Sequence, residues 1–389
     1  MRRSFFILTA VLGALVLYVA TSAVTPIQTP ALAQVQPPIN NSNVPRLPLE
    51  VVPDFLKYPA TMNLGEVLGV AVNSKGTIVV LNHPGSGTTG PIYGAATTNL
   101  FEFDRTGKFV REIAQGVYGL AYAHSVRFDK YDNLWTVDKA TNSVIKFNPA
   151  GYVTLNLGRR HEGYDSFPGH YERATAATAR AADAMFDGPT DIGWDAQDNI
   201  YVSEGYVNNR VTKFTKSGDW IKAWGQFGEG GARANENPGN FRNVHTMQVD
   251  RQGNVYAGDR AGRRIHVFNS DGQFLRFLHL NVPYDKTRHP ALGNLPMNRP
   301  DETSPWTMCI TTTPGTQYLF AMDSEPGRLY KMTLDGKILG VWGESGRGPG
   351  QFNWPHGLAC PSENELYVAD MNNWRVVKLV TSRTTTSSR

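Results

Sequence analysis

The sequence predicts an all-β fold, a six-bladed β-propeller, on three observations. One unit of three short alternating strands recurs six times. Turn residues such as Asp-Asn, Gln-Gly-Asn and Ser-Gly separate the strands at matching places. The composition sets 38 Gly and 24 Pro in 389 residues against only 19% charged and a full 11% aromatic residues. That excludes a long helical protein and a disordered chain. Four antiparallel strands repeated every ~40–50 residues describe propeller blades, which bury their faces only by stacking around a channel. The rivals are a seven-bladed ring with one degenerate blade and a β-sandwich, and a sandwich would not repeat this motif.

The chain opens on Arg2 and Arg3, then an apolar run from Phe5 to Ala20, with no acidic residue before Glu50. A positive start, an apolar middle and the small residues of Ala31–Ala33 read as a secretory signal over residues 1–33. Cleavage before Gln34 and after Ala23 both fit. An uncleaved anchor is the rival, because Phe5 to Val24 has the about 20 residues that span a bilayer. The expected location is the periplasm or the cell exterior. Without residues 1–33 two Arg and no acid are lost, and the formal net charge falls from +4 to +2. Such a balance points to no nucleic-acid partner and to no membrane contact beyond that anchor.

Residues 34–64 form an N-terminal segment, and the propeller is expected over 65–380. Its first unit runs from Leu68 through Ile78–Asn82 to Leu100–Phe103. The second has His124–Asp129, Leu134–Asp138 and Ser143–Phe147, and the third Thr190–Asp195, Ile200–Glu204 and Arg210–Phe214. The fourth has His245–Asp250, Val255–Asp259 and Arg264–Phe268. A looser fifth starts at Trp306 and continues through Tyr318–Asp323 and Arg328–Met332. The sixth comprises His356–Cys360, Leu366–Asp370 and Arg375–Leu379. A fourth strand usually follows, as in Trp220–Trp224 and Ile338–Trp342, but not after the last unit. A strand near Leu56–Leu64 is therefore expected to close the ring, since an open blade exposes unpaired edges. Of the long connections 158–188, 225–243 and 281–304, the first holds an Ala-rich stretch, Glu172–Ala184, able to form a short helix. Residues 381–389 read as a flexible tail. Cys309 and Cys360 are the only cysteines. They are either a disulfide, which an oxidising compartment permits, or two small buried hydrophobes.

The repeat supports a geometric argument. The first inner-strand position holds Leu68, His124, Thr190, His245, Trp306 and His356 in blade order. Histidine thus stands in alternate blades, about 120° apart around a six-bladed ring. Each lies 14 residues before the acid that ends the next strand, Asp138, Asp259 or Asp370, so no register slip spoils the symmetry. Three imidazoles at one depth make a facial site for one divalent metal with open positions. Zinc suits such donors, and copper or iron also use them. The other histidines, at 83, 161, 170, 266, 279 and 289, read as structural by default. A second ring follows the second strands: His83, Lys139, Tyr206, Arg260, Ser324 and Met371. Antiparallel neighbours place it at the same mouth. Tyr206 can serve as a base if a metal and a cation lower its pKa, and Arg260 suits a carboxylate or oxyanion.

The units resemble NHL-type blades. His124-Ser-Val, Glu204-Gly-Tyr-Val-Asn-Asn-Arg210, His245-Thr-Met, Gly258-Asp-Arg260 and Pro355-His356-Gly together resemble the peptidyl-α-hydroxyglycine α-amidating lyase family over most of residues 65–380. The resemblance implies a six-bladed propeller with zinc on His124, His245 and His356, a catalytic tyrosine at Tyr206 and an active-site arginine at Arg260. It also implies a second arginine in the first blade, where this sequence has His83, which would rim the site and hydrogen-bond Tyr206. Structural calcium is not carried over, because Gly357 replaces an aspartate that helps bind it. Val207 replaces a cysteine, so that disulfide is absent. Three functions follow. One is a metal lyase that cleaves a carbinolamide-type C–N bond in a small molecule or peptide, releasing an amide and a glyoxylate-like aldehyde. Another is a different metalloenzyme, hydrolytic or redox, and the third is a non-catalytic binding propeller.

Overall fold

The computed structural model of the chain describes residues 43–84, 98–158, 185–228, 237–284, 303–324 and 326–382. The expected signal at 1–33, the helix at Glu172–Ala184 and residues 383–389 lie outside them. The repeated turn has a local cause. Asp129, Asp195 and Asp250 each accept backbone N–H groups two and four residues on, and the Asn side chain at the latter position. Six residues on, an indole or phenol donates to the same carboxylate, from Trp135, Tyr201 or Tyr256. The residue at the third place takes a left-handed conformation, with φ of 61° at Asp132, 66° at Asp198 and 83° at Gly253, which Asp, Asn and Gly tolerate. Each Asp therefore folds the hairpin that joins an inner strand to its neighbour.

Six four-stranded antiparallel sheets result. Blade 1 comprises Glu66–Val72, Ile78–His83, Asn99–Phe103 and Phe109–Ile113. Blade 2 comprises Ala123–Phe128, Leu134–Asp138, Ser143–Phe147 and Val153–Gly158, and blade 3 Pro189–Trp194, Ile200–Glu204, Arg210–Phe214 and Trp220–Trp224. Blade 4 has Val244–Val249, Val255–Asp259, Arg264–Phe268 and Phe274–Leu278, and blade 5 Thr307–Ile310, Leu319–Met322, Leu329–Met332 and Ile338–Trp342. Blade 6 has Pro355–Ser362, Glu365–Asp370, Arg375–Thr381 and, from the other end of the chain, Leu49–Val52. Among the described residues there is no α-helix, only a 3-10 turn at Met371–Asn373.

The core is a ring of seams. Six apolar clusters among the described residues each join one pair of adjacent blades, and the last joins blade 6 to blade 1 through Tyr367, Ala369, Val67 and Val70. Phe103, Phe147, Phe214 and Phe268 end four third strands and are buried in these seams, each stabilising by about 1.5–3 kcal/mol over an exposed ring.

The ring is closed by an N-terminal strand, but by Leu49–Val52 and not by Leu56–Leu64. Leu49 pairs with Thr381 and Val52 with Lys378. Leu49 and Val51 turn towards the seam of blades 5 and 6, an alternation that Leu56–Leu64, interrupted by Pro59, lacks. The later stretch instead clips blade 1, where Lys57 N–H donates to Gly107 O and Lys57 O accepts from Phe109. Earlier, Leu47 N–H donates to Val341 O and Val341 N–H to Pro45 O on blade 5. The segment is thus a belt over three blades. Cys309 and Cys360 form a disulfide between the inner strands of blades 5 and 6.

Candidate functional site

In five of the six blades the inner strand carries a β-bulge at one place. Its pairing skips a single residue, which is Leu68, His124, Thr190, His245 or His356. A bulge re-aims the extra side chain, and here the three histidines turn into the channel. Their rings lie 4.6, 4.7 and 4.8 Å apart between centroids, and one nitrogen from each falls within 4.8 Å of the others. All three side chains are buried.

The alternate blades without a histidine complete the site from the backbone. His124 Nδ1 meets Thr190 O at 2.7 Å, His245 Nδ1 meets Trp306 O at 2.7 Å, and His356 Nδ1 meets Leu68 O at 2.9 Å. A carbonyl only accepts, so each Nδ1 carries the proton and each Nε2 keeps a free lone pair. Burial, with the cations nearby, pushes all three imidazoles below their ordinary range, His356 to about 4. They are neutral, which is the ligand form. The Nε2 atoms of His124 and His245 stand 3.1 Å apart. Two facing lone pairs repel unless they share an ion, and tetrahedral zinc with bonds of about 2.0–2.1 Å needs donors about 3.3 Å apart. The donor set fits a divalent metal.

Tyr206 reaches the same point from blade 3. Its Oη lies 3.1 Å from His124 Nε2. The preceding Gly205 passes so close to blade 4 that a Cβ there would lie 2.1 Å from Val244 O; only glycine lets the turn carry Tyr206 inward. Burial alone would push the phenol up, but Lys139 and Arg260 together outweigh it and hold Tyr206 below its ordinary range. Arg260 lies 5.8 Å from the Tyr206 ring and 4.4 Å from the Trp306 ring. Lys139 Nζ stands 4.3 Å from the Tyr206 ring and 4.4 Å from the Tyr122 ring.

The expected residues are therefore brought together with one exception and one addition. His83 is buried, its ring 4.3 Å from Tyr122, and it makes no hydrogen bond to Tyr206. Among the described residues neither of its nitrogens meets a partner at hydrogen-bonding geometry, although the Ala123 backbone lies near enough to favour the protonated ring. Burial and the charge of Lys139 push it down to about 3. The second cation at Tyr206 is Lys139, which belonged to the second ring but whose aromatic bracket no spacing reveals. The strand-ending acids also have a clear task. Asp138 accepts from Tyr122 N, Asp259 from Asn243 N and Asp370 from Asn353 N. Each ties the loop entering a histidine strand to the loop leaving the next, which is why the 14-residue spacing is constant.

No family model matches the chain. It is 25% identical over 356 residues to the peptidyl-glycine alpha-amidating monooxygenase of Mus musculus, covering 84% of this chain and 32% of that protein. It is 26% identical over 351 residues to the peptidyl-alpha-hydroxyglycine alpha-amidating lyase 1 of Drosophila melanogaster, covering 83% and 58%. The chain thus spans about a third to somewhat over half the length of these relatives. Over 94 residues it is 32% identical to NHL repeat-containing protein 3 of Homo sapiens, covering 23% and 25%. Two solved structures share the fold. A protein of unknown function from Bacteroides thetaiotaomicron matches at a TM-score of 0.53 and 13% identity over 82% of this chain and 70% of that one. A gluconolactonase from Xanthomonas campestris matches at 0.52 and 10% over 88% and 98%.

Proposed function

We propose that the chain is a metal-dependent lyase that cleaves the C–N bond of an N-acyl-α-hydroxyglycine, releasing an amide and a glyoxylate-like aldehyde. One observation carries this reading: three neutral imidazoles converge beside a phenol that two cations flank. The likeness to amidating lyases over most of the chain supports it. His124, His245 and His356 would hold the ion, zinc by preference. When bound, it supplies Lewis-acid polarisation of a substrate oxygen. Tyr206, as phenolate, takes the proton of the substrate hydroxyl. The electron pair of that O–H bond becomes the aldehyde C=O as the C–N bond breaks, and Tyr206 returns the proton to the departing amide nitrogen. No water and no oxidant enter, and the base is regenerated. Arg260 and Lys139 offset the substrate carboxylate and favour the phenolate before the proton moves. We further propose that the protein works outside the cytoplasm, as the opening of the sequence and the Cys309–Cys360 disulfide support.

The test is glyoxylate release from an N-acyl-α-hydroxyglycine by zinc-loaded protein. Tyr206→Phe should lose about 10²–10⁴-fold in kcat, the range of a general base, with metal content unchanged. His245→Ala should lose the metal and the activity together. A zinc-loaded wild type that is inert on every such compound would turn the reading to another metalloenzyme on this scaffold.

A further inference from the structure

One side chain spans the channel behind the histidines. Arg127 lies on the inner strand of blade 2, three residues after His124. Its Nε and Nη2 donate to Asp191 Oδ1 at 2.9 Å and Oδ2 at 2.6 Å on blade 3. Nη2 also donates to Met308 O at 3.1 Å on blade 5, and Nη1 to Leu358 O at 3.2 Å on blade 6. Asp191, itself buried, further accepts from Thr246 Oγ1 and Met247 N on blade 4, both at 2.9 Å. Reaching blades 5 and 6 from blade 2 requires crossing the channel. On one side Arg127 lines a cavity of about 20 Å³ shared with the three histidines. On the other it floors a chamber of about 1270 Å³ at the opposite mouth.

The resembled family carries a structural calcium that the sequence does not support here, and the residues of the structure do not fit one. A carboxylate cannot follow His356, because a Cβ at Gly357 would lie 2.7 Å from Gly69 Cα and 2.8 Å from Leu68 O, both backbone. Among the described residues the three histidines are the sole cluster of three or more His, Cys, Asp or Glu side chains that could share an ion. Calcium seeks six to eight oxygens, and the Met308 and Leu358 carbonyls are already taken by the guanidinium. We infer that Arg127 is the channel's resident cation: a fixed charge, supplied by the chain, that braces five blades and occupies the carbonyls a divalent ion in the channel would use. Arginine suits the task because its planar fork serves a carboxylate and two carbonyls at once. Two consequences follow. The ring does not depend on external calcium for its integrity, and substrate and product share the histidine mouth. The first holds whatever the site does, and the second rests on the site being catalytic.

The experiment uses the whole protein, stripped on a chelating resin, reloaded with zinc and dialysed with or without millimolar calcium. The expected result is no stoichiometric calcium by elemental analysis and the same thermal midpoint in both samples. One equivalent of bound calcium with a raised midpoint would overturn the inference. Arg127→Met, similar in length but uncharged, leaves the Asp191 carboxylate buried without a cation and should lower the midpoint by about 5–10 °C. Arg127→Met combined with Asp191→Asn should unfold at a higher temperature than Arg127→Met alone, because no unpaired charge remains. A double variant that unfolds no higher would overturn the charge argument. The calcium measurement on wild type decides the matter even if Arg127→Met fails to fold.

Discussion

At the scale of residues, the site depends on which nitrogen of each histidine is free. The carbonyls of Thr190, Trp306 and Leu68 fix Nδ1 as the donor, so the blades that lack histidine are as necessary as those that have it. The histidines themselves were legible because repetition turned three scattered positions into one register. Lys139 was legible only as a member of the second ring, and folding alone sets it against Tyr122 and Tyr206. The first-blade place that the resemblance gives to an arginine is filled by buried His83, facing Tyr122. The second cation beside the phenol, after Arg260, comes from blade 2 instead. Lys139→Gln tests this. A base must be deprotonated to act, and a nearby cation favours its phenolate form. Removing that cation raises the Tyr206 pKa, and the acidic limb of the kcat profile should move to higher pH by about 1 unit or more, given the shift of 1–3 units typical of a close opposite charge. Lys139→Arg should keep the limb in place. An unmoved limb in Lys139→Gln, with full metal content, would assign the lysine to packing.

At the scale of elements, the sequence repeat encodes two devices. In blades 2, 3 and 4 an Asp folds the inner hairpin, and in blades 2, 4 and 6 the acid ending the second strand ties two loops together. Both were visible as spacings, which is why the strands could be placed closely. The bulge was not visible, because the skipped residue looks like any other in an alternating run. Its position at the histidines explains how a strand end can aim inward a ring that the pleat alone would send elsewhere. The turn at Gly205 offers the test. Gly205→Ala places a methyl group against Val244 O, next to His245. Backbone must move, displacing Tyr206 and a metal ligand together. The expected outcome is a stability loss of about 1–3 kcal/mol, as for other overpacked sites, with weaker zinc binding in a competition titration. Wild-type zinc affinity in Gly205→Ala would show that the turn does not position the ligand.

At the scale of the whole molecule, the weak point of a ring is where the chain's ends meet. Closure by pairing Leu49–Val52 with Arg375–Thr381 makes one blade from both ends. The sequence indicated that a strand was missing after Val380 but pointed to Leu56–Leu64 in place of Leu49–Val52, since a four-residue strand carries little pattern of its own. The structure adds two further ties. The belt also grips blade 5 through Pro45 and Leu47 and blade 1 through Lys57, and Trp342 Nε1 donates to Leu49 O at 2.9 Å. The disulfide then holds blades 5 and 6 covalently across a sequence separation of 51, a loop whose cross-link stabilises by about 4 kcal/mol in the chain-entropy account. These ties act on different seams. The disulfide secures blade 5 to blade 6, whereas the belt alone covers the outer edges that run on to blade 1. Deleting residues 34–65 should therefore lower the thermal midpoint and expose strand edges even in the oxidised protein, with opening at the seam between blades 6 and 1. Cys309→Ser with Cys360→Ser should add to that loss, because the truncated chain would then have neither tie at its closing blade. Hydrogen exchange reads the location: Tyr367 to Ala369 and Val67 to Val70 should lose protection in the truncated protein before the seam of blades 3 and 4 does. Uniform loss across all six blades would mean that the ring opens as one cooperative unit and that the belt guards no seam in particular.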